Sequence, residues 1–363
     1  MDETTETGLL TQDRKSAHIS ICLSEHVEFK IKTTGFEEYE FIHQALPEIN
    51  KSDIDISLEL FGKKLRAPII IESMTGGTEL GFQINSNLAQ TAQKLHIGMM
   101  IGSQRISLEE PSLAYTFQVR EIMPDALLIA NFGAVQLNNG FDYESCIEAI
   151  SMIGADALAL HLNPLQEAIQ AEGNTNFGGL LKKIEILKKK LTIPLVVKEV
   201  GCGISKEVAI RLKEAGVDCV DVGGSGGTSW ARIEAIRAKD ECLKIIGETF
   251  SEWGIPTAES IQLARSVAPD IPIIASGGIR TGIDAAKAIA LGAKCVGVAL
   301  PLLSPALESS QSVEEELNVI MEVLKVVMFC IGANNLSDLK DTKYMVKKNG
   351  FSNSCGVLGH INE

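Results

Sequence analysis

The sequence has no CxxC pair, no apolar run as long as a membrane span and no excess of basic residues. Its eight cysteines, at 22, 146, 202, 219, 242, 295, 330 and 355, are scattered. Structural zinc sites and disulfide frameworks use paired or patterned spacings, so neither is expected, and the cytoplasm is the expected compartment. Cys219 and Cys295 sit inside apolar strand-like runs, where a thiol serves as a small hydrophobe. The start of the chain shows no signal-type apolar core, so neither membrane insertion nor export is expected. A net charge of −14 argues against nucleic acid, whose recognition needs a basic surface. The same acidity means that cations for any anionic ligand must be placed locally.

What is present is a soluble, globular composition, 45% hydrophobic and 22% charged over 363 residues. Residues 1 to about 13 are acidic and Thr-rich and are expected to be mobile. Arg14-Lys15-Ser16-Ala17-His18 follows, a compact basic group that reads either as a solvated segment or as an anion contact. Residues 1–66 form an N-terminal extension, with strand-like alternation at 54–60.

From residue 67 a rhythm sets in. Short apolar runs at 68–73, 97–102, 127–132, 157–162, 194–199, 218–223, 272–276 and 294–299 alternate with amphipathic stretches. The clearest helical patterns are 83–95, 143–153, 178–191, 205–215, 257–267 and 282–291, with a last helix at 313–332. Eight strand–helix units over 67–335 predict an α/β fold, a (β/α)8 TIM barrel, whose usual size is roughly 250 residues. A doubly wound open sheet is the alternative, weakened because no Gly-rich phosphate fingerprint follows the first strand. A polar tail, 336–363, completes the chain.

A barrel builds its active site at the C-terminal ends of its strands, so those ends carry the functional reading. Strand four opens into His161-Leu162-Asn163-Pro164-Leu165-Gln166-Glu167, which places an imidazole, two amides and a carboxylate within seven residues. Packing does not call for such a mixture, whereas binding loops do. Glu167 suits a hard cation such as Mg2+. Strand six ends in a loop, 223–228, with four glycines plus Ser225 and Thr228, and strand seven in Ser276-Gly277-Gly278-Ile279-Arg280. Such loops bring backbone N–H groups close to a phosphate, although glycines at strand ends also make plain turns. Lys198 lies within an apolar strand, where an ammonium must meet negative charge: a ligand, or an inward salt bridge to Glu199 or Asp221. Trp230 is either ordinary packing or an aromatic wall for an apolar ligand tail. Phosphate-suited loops with an inward lysine suggest a phosphorylated cofactor, and flavin mononucleotide (FMN) fits better than pyridoxal phosphate. Arg14, Lys15, Arg105 and Glu167 then remain for a second anionic molecule.

Arg14-Lys15 with His18, Ser73-Met74-Thr75-Gly76-Gly77, Gly102-Ser103-Gln104-Arg105, the 161–167 loop, Val197-Lys198-Glu199-Val200-Gly201, 223–230, Trp253-Gly254-Ile255-Pro256-Thr257 and 276–280 together resemble the type 2 isopentenyl-diphosphate isomerases. The resemblance runs in order from about residue 14 to 301. It implies an FMN-dependent isomerase of isoprene biosynthesis that interconverts isopentenyl and dimethylallyl diphosphate, with reduced flavin, Mg2+ and NADPH as flavin reductant, commonly as a homotetramer. It implies FMN contacts from Met74, Thr75, Gly76, Ser103, Asn131, Lys198, Thr228, Gly277, Gly278, Arg280, Ala299 and Leu300. It implies diphosphate contacts from Arg14, Lys15, Ser103, Arg105, His161 and Gln166, Mg2+ at Glu167, and roles in the chemistry for Gln166, His161 and Lys198. An amide is a poor base, so Gln166 is given a positioning role. A 2-hydroxyacid oxidase would need a His–Arg pair after a late strand, and 276–280 holds no His. An inosine-monophosphate-dehydrogenase-like enzyme would need a cysteine where 226–229 offers Gly-Gly-Thr-Ser. A non-catalytic flavin- or prenyl-phosphate-binding regulator would have no use for a metal carboxylate.

Overall fold

The computed structural model describes residues 3–348. Eight short strands close into one parallel barrel: β1 Ile69–Ile71, β2 Gly98–Met100, β3 Leu128–Gly133, β4 Ala157–Leu162, β5 Leu195–Glu199, β6 Cys219–Asp221, β7 Ile273–Ala275 and β8 Cys295–Val298. Each strand pairs with its sequence neighbours, and β8 pairs back onto β1 through Val296–Ile69, Gly297–Ile70 and Val298–Ile71. Closure excludes the open sheet. The strands read as continuous apolar runs because both faces are covered, by helices outside and by side chains inside.

Inside, Ile70, Met100, Ile129, Ala159, Val196, Cys219, Ile274 and Cys295 form a single buried cluster, so the barrel is filled rather than hollow. Cys219 and Cys295 act as the small hydrophobes expected of them, both fully buried and unbridged. Leu58, Leu60 and Leu65 join the cluster from a two-stranded hairpin, Leu58–Leu60 with Lys63–Leu65. Phe61 (φ 52°) and Gly62 (φ 76°) make its turn with two positive φ values, the geometry that suits the twist of a tight hairpin. The strand-like stretch 54–60 thus plugs the barrel end where β1 begins.

The opposite end is covered from the extension. Helix α1, Glu3–Ser24, packs against α2, Trp230–Arg237, and the short helix Arg105–Glu109. The acidic start expected to be mobile therefore lies within a helix from Glu3 onward. Residues 27–34 then run as a strap across the ends of β6 and β7: Ser229 donates to the Val27 carbonyl (2.9 Å), Phe29 to Gly227 (3.0 Å) and Ala258 to Thr34 (2.9 Å). Glu252 fixes the strap by accepting from the backbone N–H groups of Lys30, Ile31 and Lys32. The described part of the tail also belongs to the fold, since Met345–Lys347 pairs antiparallel with Tyr39–Phe41. Residues 349–363 lie outside the described chain.

Candidate active site

A cavity opens at the C-terminal ends of the strands, between the barrel mouth and α1. Every residue expected at the site from the sequence lines it except Gly76. Gly76 (φ 153°) is pressed against the Phe117 ring, where an added Cβ would come within 2.1 Å. Its lack of a side chain serves packing beside the cavity. The glycines after β6 and β7 are likewise shaped by protein contacts. A Cβ on Gly278 would meet Thr34 Cγ2 at 2.3 Å, and one on Gly227 would meet the Gly278 N at 2.3 Å. The two loops pack on each other and under the strap, and their backbones form one wall of the cavity.

Lys198 rises from β5 into the floor, 4% exposed. Its Nζ lies 3.6 Å from Asp221 Oδ2 and 3.6 Å from Glu72 Oε2, and donates to the Glu199 carbonyl at 2.8 Å. Burial works against the ammonium, but Asp221, Glu72 and Glu199 together outweigh it and raise the pKa. Of the two sequence candidates for a salt bridge, Asp221 is in place. The Glu199 carboxylate points elsewhere, its Oε2 accepting from the N–H groups of Val200, Gly201 and Cys202. Glu72, one residue past β1, falls inside the apolar run expected at 68–73, where nothing marked it as a floor residue.

The opposite wall is cationic. Lys15 on α1 donates to the Ser103 carbonyl (3.0 Å) and lies 4.9 Å from the centre of the Phe117 ring. Burial, then Arg14 and Arg105, lower its pKa to about 7. Arg14 is 3.7 Å from Glu172, and Arg105 is 3.4 Å from Glu109 one turn on. His161 at the end of β4 is bonded through Nδ1 to Asn131 Oδ1 (2.9 Å). Burial, then Lys198, Arg105 and Lys15, push its pKa down to about 3, so it is neutral at pH 7. With Nδ1–H given to Asn131, its Nε2 is left as an acceptor.

Glu167, 7% exposed, is held by three donors: Asn163 Nδ2 (2.9 Å), Gln170 Nε2 (2.9 Å) and the Asn174 N–H (2.5 Å). Among the described residues no group of three or more His, Cys, Asp or Glu is arranged around a metal. Gln166 donates to Glu234 (3.2 Å), a buried carboxylate on α2 that also binds His18 (3.0 Å) and Arg237 (2.8 Å). Burial opposes the charge of Glu234, but His18 and Arg237 hold its pKa down to about 2. Glu234 is thus the hub that ties α1 to Gln166. Trp230–Arg237 has no apolar stripe to mark it as a helix, so its glutamate gave no sequence signal for that role. Trp230 lines the cavity and packs edge-on against His18 at 5.2 Å between centroids.

The FMN-dependent dehydrogenase family matches residues 11–119 and 137–346. The isopentenyl-diphosphate delta-isomerase of Nostoc sp. is 50% identical over 93% of this chain and 96% of its own length. The chain belongs to the isopentenyl-diphosphate delta-isomerase family. Other members are nearly as similar. That of Stutzerimonas stutzeri is 46% identical over 92% of this chain and 96% of its own, and that of Rickettsia conorii 50% over 90% and 95%. Among solved structures, a flavocytochrome b2 variant with pyruvate bound superposes with a TM-score of 0.65 at 18% identity, over 95% of this chain and 86% of the other. A mandelate oxidase variant gives 0.58 at 16%, over 85% and 88%. At such identities the likeness concerns the barrel alone. It places the isomerase family on the same fold as these flavin oxidoreductases.

Proposed function

We propose that this protein interconverts isopentenyl and dimethylallyl diphosphate, using reduced FMN and Mg2+, with NADPH as the flavin reductant. The carrying observation is that one cavity joins two anion-suited walls, a floor with Lys198 beside glycine loops and a facing cluster of Arg14, Lys15, Arg105 and His161. FMN fits the first. Thr75 Oγ1 is a buried, unpartnered polar atom at that wall, and Lys198 would meet the negative edge of a reduced ring. Met74, Asn131, Thr228, Gly277, Gly278, Ala299 and Leu300 line the remainder, and Arg280, now paired with Glu28, stands at the phosphate end. Bound there, reduced FMN supplies the acid–base chemistry that shifts the double bond.

The diphosphate is taken up by Arg14, Lys15, Ser103 and Arg105, and by His161 when the bound anion draws a proton onto its Nε2. Glu167 would hold Mg2+, which would neutralise the diphosphate, and a single protein carboxylate beside substrate phosphates is how Mg2+ is usually bound. Gln166, oriented by Glu234, positions the alkene, while α1 and Trp230 keep water from a cationic intermediate. Isopentenyl diphosphate incubated anaerobically with the protein, FMN, NADPH and Mg2+ is expected to yield dimethylallyl diphosphate, and to stop doing so without NADPH. Glu167→Gln is expected to retain FMN and lose Mg2+-dependent turnover. Bound flavin without product would overturn the isomerase reading, and no bound flavin would overturn the cofactor with it.

A further inference from the structure

The described chain buries two carboxyl groups against one lysine at the cavity floor, and none of the proposed steps uses the second of them. Asp221, fully buried, is well supplied: its Oδ1 accepts from Ser276 Oγ (2.6 Å) and the Gly223 N–H (3.3 Å). Glu72, 4% exposed, is not. Both of its oxygens and Asp221 Oδ2 are buried without a hydrogen-bond partner. Room for Glu72 is nevertheless built in. A Cβ on Gly297 of β8 would lie 2.4 Å from Glu72 Oε1 and 2.7 Å from its Cγ, so the strand gives up a side chain to admit this carboxyl.

Two ionised carboxyls against one ammonium would leave the floor net negative, where the lysine is meant to receive an anionic ring. A proton on one carboxyl removes the excess charge. It also supplies a donor for the unpartnered oxygens that Glu72 and Asp221 both hold 3.6 Å from the same Lys198 Nζ.

We propose that Glu72 is a positioning residue for the flavin: a neutral carboxylic acid that shares a proton with Asp221, steadies Lys198 and keeps the floor from becoming net negative. This rests on the FMN reading. Burial, then Asp221, push the Glu72 pKa up to about 8 against the pull of Lys198, in agreement with the geometry. The charged and titratable groups acting on the trio include Lys198 and Glu199 of β5, Asp221 and the Cys219 thiol of β6, the Cys295 thiol of β8, whose pKa burial, Asp221 and Glu72 push up, and, through Lys198, His161 of β4. Above pH 8 Glu72 ionises and the floor gains a negative charge. The preference for reduced over oxidised FMN then falls, by up to tenfold per pH unit if one proton is linked to reduction.

The test compares the FMN-loaded protein with Glu72→Gln. Infrared spectra of the parent at pH 7 are expected to show a protonated carboxylic-acid carbonyl band that is absent from the variant. The ratio of reduced to oxidised FMN affinity, followed from pH 6 to 10, is expected to fall above pH 8 in the parent and to follow a flatter course in the variant. Should the variant not fold, the parent's own band and its loss above pH 8 still decide the matter. Flavin bound to a parent with no such band, or identical pH courses in the two proteins, would overturn the proposal and leave the FMN site standing. A parent that binds no FMN would overturn the cofactor reading on which it depends.

Discussion

Replacing Glu234 by glutamine tests whether α1 is held to the barrel by one buried charge. The carboxylate side chain is 1% exposed and binds His18, Arg237 and Gln166 at 3.0, 2.8 and 3.2 Å. Its pKa is held at about 2, against 4.5 for an ordinary glutamate. At 1.36 kcal/mol per pKa unit that gap corresponds to about 3 kcal/mol of stability at pH 7. An independent route gives the same order, since breaking a buried ion pair costs roughly 3–5 kcal/mol. Because the folded pKa is depressed, the contribution is complete above the unfolded pKa of about 4.5 and is lost as pH falls toward 2. Urea unfolding of the flavin-free protein at pH 7 is therefore expected to show Glu234→Gln less stable by about 3 kcal/mol, a large share of the usual 5–15. At pH 4 the deficit is expected to shrink by about 1 kcal/mol, as the unfolded parent begins to take up the proton. A deficit below about 1 kcal/mol at pH 7, or one that does not change with pH, would refute the reasoning.

Lys15 titrates near neutrality, so pyrophosphate affinity is expected to fall by up to tenfold per pH unit above about pH 7, as binding must then recruit a proton. Isothermal titration across pH 6–9 checks this, and Lys15→Arg is expected to flatten the curve. His161 is expected to stay neutral in the ligand-free protein down to pH 5, its ring signals showing no titration by NMR. Gly297→Ala should destabilise by about 1–3 kcal/mol, the usual cost of overpacking, because the new methyl meets Glu72 at 2.4 Å. Urea unfolding reads the loss, and FMN affinity should fall with it.

The barrel was legible because its strands advertise themselves. The run expected at 157–162 is Ala157–Leu162, and the helices expected at 143–153, 257–267 and 282–291 are Tyr143–Ile153, Thr257–Val267 and Gly282–Leu291. Strands buried on both faces read as apolar runs, broken only by the polar groups they carry toward the cavity, such as His161 and Lys198, and the helices alternate with them at helical spacing. Helix α1 was missed because its sequence presents no apolar stripe, and the helices Trp230–Arg237 and Glu241–Thr249 were not among the patterns expected. At the site, residues in loops with an unusual mixture of polar groups were found. Glu72 and Glu234 were not, because each is a single acidic residue whose significance comes from partners far away in the chain: Lys198 and Asp221 for one, His18 and Arg237 for the other.

His18 and Glu234 are 216 residues apart, so α1 is joined to the barrel by a contact of very long sequence separation. Closing so long a loop has an entropic cost met only once β6 and α2 exist. The cavity therefore has two parts, a floor carried by the barrel strands and a wall carried by the docked helix. The same division gives the folded protein a natural seam. Local opening there would free Arg14 and Lys15 from the mouth while the Lys198 floor stays buried in the barrel. Hydrogen exchange along residues 12–24 would accordingly run ahead of exchange in β5 and β6.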